Sequence, residues 1–193
     1  MADAHCFCNL PNPNHSLLME DNMNQLRIAV FVDFANIHRA CSERGLRLDY
    51  EDFLWYLAAD RYLVDAIAYV PIDPRAPTAT DADIEELWLS GYVVKSKKGK
   101  KTEETFKCNF DVEMTIDILN AALEMDLDVV ILVSGDGDFV PVAEYLRGRG
   151  IRIEVCGFEA TLAHELVLKS SGCIDVDNYF CEEVEEGADE ADE

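Results

Sequence analysis

Three acids stand where apolar runs of this chain end. Asp33 closes the run Ile28–Val32, and Asp136 and Asp138 follow the run Val129–Val133 in the segment Ser134-Gly135-Asp136-Gly137-Asp138-Phe139. In an open parallel sheet, ligands bind outside the carboxyl ends of the strands. Acids delivered there by separate strands therefore gather in one crevice. Like charges so close together call for a cation, and an all-oxygen ligand set suits Mg²⁺ or Mn²⁺. The glycines of the second segment let the backbone turn sharply and approach a ligand closely.

A fourth acid comes from a third element. Asp111 ends Lys107-Cys108-Asn109-Phe110-Asp111 and opens a long apolar-periodic stretch. A carboxylate at a helix start also complements the helix dipole. Asp117 lies six residues on, and at 100° per residue the two point about 120° apart. Asp111 is therefore assigned to the ion and Asp117 to a supporting hydrogen bond or an ordinary contact between elements. Asn36, three residues after Asp33, can hold a ligand, water or phosphate at the same edge. Each acid also has a purely structural use. Asp33 or Asn36 can cap the next helix, Asp138 can cap the one after it, and Asp136 can serve the turn. Capping and ligation are compatible.

The elements that must position these residues follow from periodicity. Residues 28–34 read as a buried strand and 36–44 as a short helix closed by Gly45. Asp49 caps a helix through about Ala59, with Phe53, Leu54 and Leu57 inward. Val64–Val70 is a strand, and Pro71–Thr80, with its three prolines, a loop. A helix starts at Thr80 or Asp81, with Ile84, Leu87 and Trp88 on its apolar face and Gly91 after its end. Tyr92–Lys95 and Thr105–Cys108 read as strands joined by a Lys-rich connection. A helix over about 109–125 turns Met114, Ile118, Leu119 and Leu123 inward. Asp128–Val133 is a strand, 139–149 a helix meeting Gly150, Ile151–Cys156 a strand, Thr161–Lys169 a helix and Ile174–Val176 a final strand. Strands alternating with helices imply βαβ units about a mainly parallel sheet.

The 193-residue chain carries a formal net charge of −23, which argues against a simple basic nucleic-acid binder. From Glu182 to Glu193 eight of twelve residues are acidic and none is basic, the composition of a solvated, disordered tail. Residues 1–26 read as a flexible leader. Within it, His5, Cys6, Cys8 and His15 form a loose cluster that lacks the second ligand pair of a zinc site. The seven cysteines are odd in number and contain no C-x-x-C pair, the usage of a reduced compartment. No apolar run approaches the roughly 18–20 residues needed to span a bilayer. No secretory signal is apparent, and the expectation is a cytoplasmic protein with no membrane partner. Against this acidity, Lys95, Lys97, Lys98, Lys100 and Lys101 fall within seven residues, with Lys107 beyond. They read either as a solvated hairpin tip or as a clamp on a phosphate backbone. Tyr92, Phe106, Phe110 and Phe139 offer rings for unpaired bases, with the core the stronger claim on Phe106 and Phe139.

These residues resemble the NYN domain, the LabA-like branch of the PIN-domain nuclease superfamily. The likeness rests on Val32-Asp33-Phe34-Ala35-Asn36, on Lys107 to Asp111 with Asp117, and on Ser134-Gly135-Asp136-Gly137-Asp138-Phe139-Val140-Pro141. It spans roughly Arg27 to Phe180, leaving 181–193 as the acidic tail. It implies a PIN-like, Rossmannoid α/β/α sandwich and a Mg²⁺- or Mn²⁺-dependent ribonuclease site. Asp33, Asp111, Asp136 and Asp138 form its acidic core, with Asn36 and Ser134 nearby. The family commonly has Gly-Val before the middle acid, where this chain has Asn109-Phe110. The reading is an endoribonuclease for single-stranded RNA, leaving 5′-phosphate and 3′-hydroxyl ends. The alternative is a non-cleaving, RNA-binding or regulatory protein. A phosphatase with Asp33 as nucleophile ranks below both, because Asp33-Phe34-Ala35 lacks the second acid of a D-x-D pair. The sequence is compatible with a homodimer and contains nothing that requires one.

Overall fold

The computed structural model describes residues 25–102 and 106–181. The leader through residue 24, with its His and Cys cluster, residues 103–105 and the acidic tail from 182 lie outside the described residues. Among the described residues, no helix is long and apolar enough to cross a membrane.

The elements in chain order are β1 (Arg27–Asp33), α1 (Phe34–Glu43), α2 (Tyr50–Ala58), β2 (Tyr62–Ile72), α3 (Asp81–Leu89) and β3 (Val93–Lys98). They continue with β4 (Lys100–Lys101), β5 (Phe106–Lys107), α4 (Asp111–Glu124), β6 (Val129–Val133), α5 (Val140–Arg147), β7 (Arg152–Gly157), α6 (His164–Lys169) and β8 (Gly172–Asp175). Six strands form one sheet in the order β3-β2-β1-β6-β7-β8, and every pairing within it is parallel. Helices cover both faces. Ile28, Val30 and Val32 of β1 point into one apolar layer with residues of α1, α2 and α3. Ala29 and Phe31 point into the other, with residues of α4, α5 and α6. Burial on both faces explains why the central strands are apolar throughout. This is the expected α/β/α sandwich.

The order of strands fixes where a site can form. The chain leaves β1 toward β2 on one side, and β6 lies on the other. The β1–β6 boundary is thus the switch point, where helices leave the sheet in opposite directions and a crevice opens. Val32 stands level with Val133, so Asp33 and Ser134 leave the sheet side by side.

Several expected elements differ in extent. The segment assigned to a loop begins in the sheet, since β2 runs through Pro71 to Ile72. Pairing with β1 has ended at Tyr69, and Pro71 is paired only with β3, so its missing N–H costs nothing on the β1 side. In its described residues the Lys-rich connection is largely strand. Lys95, Lys97 and Lys98 lie in β3, the sheet edge, where charged side chains are tolerated. Lys100–Lys101 pairs antiparallel with Phe106–Lys107 in a separate ribbon. Trp88 is 68% exposed and Leu123 52% exposed. Leu87 takes the inward position on the short α3, and Ala121 and Ala122 complete the buried stripe begun by Met114 and Ile118 on α4. The helix expected from Thr161 starts only at His164. Before it, Glu159–Thr161 forms a 3-10 turn, and Ala163 spends its amide on the Gly135 carbonyl at 2.9 Å. The last strand ends at Asp175, and residues 176–181 are helical.

Candidate metal centre

Asp33 is both the last residue of β1 and the cap of α1. Its Oδ1 accepts from the Asn36 amide at 3.2 Å, and its Oδ2 accepts from the Ser134 hydroxyl at 3.3 Å. Ser134 is itself buried, 1% exposed. Its Oγ in turn accepts from the Asp136 amide at 3.2 Å. Asn36 reaches across the same gap, where its Oδ1 accepts from the Gly135 amide at 3.2 Å. The ends of β1 and β6 are thus joined by side chains from both.

Asp136 caps the 3-10 turn Gly137–Phe139 through an Oδ1 bond from the Asp138 amide at 2.9 Å. The roles are therefore reversed from the structural use expected of them, with Asp136 the cap and Asp138 in the first turn. α4 starts at Asp111 and brings its carboxylate to the same edge. Ligand oxygens of Asp111, Asp136 and Asp138 lie within 4.8 Å of one another. Asp33 stands outside this close group and lines the same cleft of about 160 Å³, with Asn36, Arg39, Pro71, Cys108, Asn109, Phe110, Asp111 and Asp136. Like charges this close repel, and Asp136 and Asp138 both disfavour ionisation of Asp111. Three carboxylates with oxygens in mutual reach fit a hard divalent cation bound by oxygen, and among the described residues no Cys or His joins the group to favour a softer metal.

Asp117 lies apart. Its Oδ2 accepts from Tyr69 OH at 2.7 Å and from Lys95 Nζ at 2.8 Å. Lys97 bonds the Asn109 carbonyl at 2.7 Å and pairs with Glu113. Two of the six candidate lysines are thus engaged with α4 and its approach, while Lys98, Lys100, Lys101 and Lys107 are exposed. Tyr92 is buried and donates its hydroxyl to the Tyr50 carbonyl at 3.1 Å, and Phe139 is also buried. Phe110 meets Tyr69 edge-on at 5.5 Å. Sequence reasoning missed Arg39, the one guanidinium that lines the cleft among the described residues. Its spacing of three from Asn36 puts both on one face of α1 and was the available signal.

The electrostatics have a consequence for stability. Burial, foremost, raises the Asp33 carboxyl above its ordinary 3.8; the Asn36 amide and Ser134 hydroxyl oppose this, and Asp111 and Asp136 add to it. Asp111 is raised by burial and then by Asp136 and Asp138, against the pull of Asn109. A carboxyl whose folded value exceeds its unfolded value binds protons more tightly in the folded state. Its contribution to stability falls as pH rises from about 3.8 through the folded value. In the metal-free protein, Asp33→Asn is expected to raise Tm at pH 7, with about 2–4 °C for each kcal/mol relieved. The gain should shrink as pH falls and vanish below about 3.8, where the wild-type carboxyl is protonated in the folded and the unfolded state alike. Melting both proteins in EDTA across this range checks it, and a gain independent of pH would contradict it.

The NYN domain family model matches residues 27–177. The low amplitude and bright protein LabA of Synechococcus elongatus is 29% identical over 170 residues, covering 82% of this chain and 89% of that protein. The crystal structure of a protein of unknown function from Vibrio parahaemolyticus superposes with a TM-score of 0.66 at 28% identity, covering 79% of this chain and 93% of that one.

Proposed function

The chain belongs to the NYN domain family, in the LabA-like branch of the PIN-domain nuclease superfamily, and from that premise we propose that it is a divalent-metal-dependent endoribonuclease acting on single-stranded RNA. The observation that carries the reading is the clustering of Asp111, Asp136 and Asp138, of which Asp111 and Asp136 line one cleft with Asp33. A bound Mg²⁺ or Mn²⁺ supplies an acidified water and a counter-charge for the phosphodiester. The protein's part is to hold the acids still. Ser134 fixes one Asp33 oxygen and the Asp136 backbone at once, and Asn36 ties α1 to Gly135. Arg39 stands at the cleft, where a guanidinium can pair with a phosphate.

The test is cleavage of a mixed pool of single- and double-stranded RNA and DNA with Mn²⁺, comparing wild type with Asp33→Asn/Asp136→Asn. The reading requires cleavage of single-stranded RNA by wild type alone. Equal cutting by the double variant would sink it and point to a contaminating nuclease.

The exposed lysines supply the RNA path in this proposal. Replacing Lys98, Lys100, Lys101 and Lys107 with Ala is expected to weaken RNA binding. It should also flatten the salt dependence, by about 0.7 in log–log slope for each single-strand phosphate that a lysine no longer neutralises. An unchanged slope would remove these residues from the path. The charge of −23 favours a second reading, RNA binding without cleavage. Its signature is tight RNA binding unaffected by metal, with no product over hours.

A further inference from the structure

Asp111 opens α4, and Phe110, the residue before that helix, makes no side-chain capping bond. Asn109 holds it from two residues upstream. Its Nδ2 donates to Asp111 Oδ2, and its Oδ1 accepts from the Asp111 amide at 2.7 Å. One side chain thus grips both the backbone and the carboxylate of the same residue. That fixes the position of the carboxylate and the plane in which it lies.

Asn109 is itself held. Its carbonyl accepts from Lys97 Nζ at 2.7 Å, and Lys97 also pairs with Glu113 in the first turn of α4. The same ammonium lies 4.6 Å from the centre of the Phe110 ring. The edge strand β3 therefore anchors the approach to α4, and the approach anchors the acid. Asn109 is exposed, so its loss opens no cavity in the core. It is also neutral, so its loss removes no charge near the three acids.

We infer that Asn109 is a positioning residue for the Asp111 carboxylate, with Lys97 holding Asn109 in place. The inference rests on the reading of Asp111, Asp136 and Asp138 as a divalent-metal site. In the metal-free protein Asp136 and Asp138 repel the Asp111 carboxylate, and free rotation would turn it away from them. The tether opposes that rotation, so less ordering remains to be done when an ion binds. Partners that orient a ligand in this way typically account for 10–100-fold in metal affinity.

The experiment is calorimetric titration of the full chain with Mn²⁺ at neutral pH, for wild type, Asn109→Ala and Asn109→Ser. Asn109→Ala is expected to bind Mn²⁺ about 10-fold more weakly, with its metal-free Tm lowered only by the few degrees that loss of one exposed helix-end hydrogen bond brings. Asn109→Ser keeps a hydroxyl that can accept from the amide and donate to the carboxylate, and it should recover part of the loss. A merely structural role would lower the metal-free Tm and leave Mn²⁺ affinity unchanged. If Asn109→Ala binds as tightly as wild type, or Ser is as weak as Ala, the inference fails while the metal site stands. If wild type binds no Mn²⁺, the metal-site reading itself fails and takes the inference with it.

Discussion

Asp136→Asn is expected to lower Mn²⁺-dependent RNA cleavage by at least about 10³-fold while leaving the fold intact. The loss should exceed the 10–100-fold that follows removal of a supporting partner, because Asp136 belongs to the carboxylate group itself. Its structural duty survives the change. The side chain caps the turn at Gly137 by accepting from the Asp138 amide, and an asparagine oxygen does this equally well. The charge does not survive, and its loss acts in opposite directions with and without metal. In EDTA the variant loses one of three mutually repelling carboxylates, so its Tm should equal or exceed that of wild type. With Mn²⁺ at about 100 times its dissociation constant, wild type should gain about 2.7 kcal/mol from binding, and the variant should gain little. Parallel melts and cleavage assays read both effects. Loss of activity with a fall in metal-free Tm would show a folding defect instead. Full activity would move the chemistry away from this cleft.

How much of this is legible in the chain depends on the range of each interaction. The meeting of Asp33 with Ser134 follows from two apolar runs and the rule for strand ends, because Val32 and Val133 lie in register on neighbouring strands. The 120° offset of Asp117 from Asp111 is legible too, since helical geometry is local, and Asp117 turns to Tyr69 and Lys95. The lysines are harder. A run rich in Lys and Gly reads as a solvated tip, and only the sheet order shows β3 to be an edge strand beside α4. That placement turns Lys95 and Lys97 toward acids on the helix, which no local pattern shows. Asn109 lies between. Its two-residue spacing from Asp111 is a recognised turn signal, but its importance appears only once Asp111 is seen to converge with Asp136 and Asp138. Trp88 and Leu123 show the opposite failure, where an apolar residue near a helical stripe reads as buried and tertiary packing leaves it in solvent.

Gly135→Ala is expected to destabilise the protein by about 3 kcal/mol or more, beyond the usual 1–3 kcal/mol of overpacking, and to remove metal binding with it. Sequence reasoning assigns this glycine to close approach of a ligand. The structure assigns it to close approach of the chain itself. A Cβ built at Gly135 would lie 2.2 Å from the Thr161 carbonyl oxygen and 2.9 Å from its carbon. Those are backbone atoms, so no rotamer change relieves the clash. Thr161 is also fixed, since its amide bonds the Phe158 carbonyl at 2.8 Å. The end of β6 and the turn before α6 must separate, which breaks the Ala163–Gly135 bond of 2.9 Å and displaces Asp136 and Asp138 from Asp33. At about 2–4 °C for each kcal/mol in a protein of this size, Tm should fall by about 6–12 °C. Gly137→Ala is the control. Its added Cβ would meet only the Ala163 Cβ, at 3.4 Å, and its Tm should stay within about 2 °C of wild type, the scale of less than 1 kcal/mol. Thermal melts of the two variants separate the explanations. A glycine kept for the ligand would lower Mn²⁺ affinity on mutation and leave the metal-free Tm alone. A glycine kept for Thr161 lowers the metal-free Tm first, and the acids lose their alignment because the turn that carries them has moved.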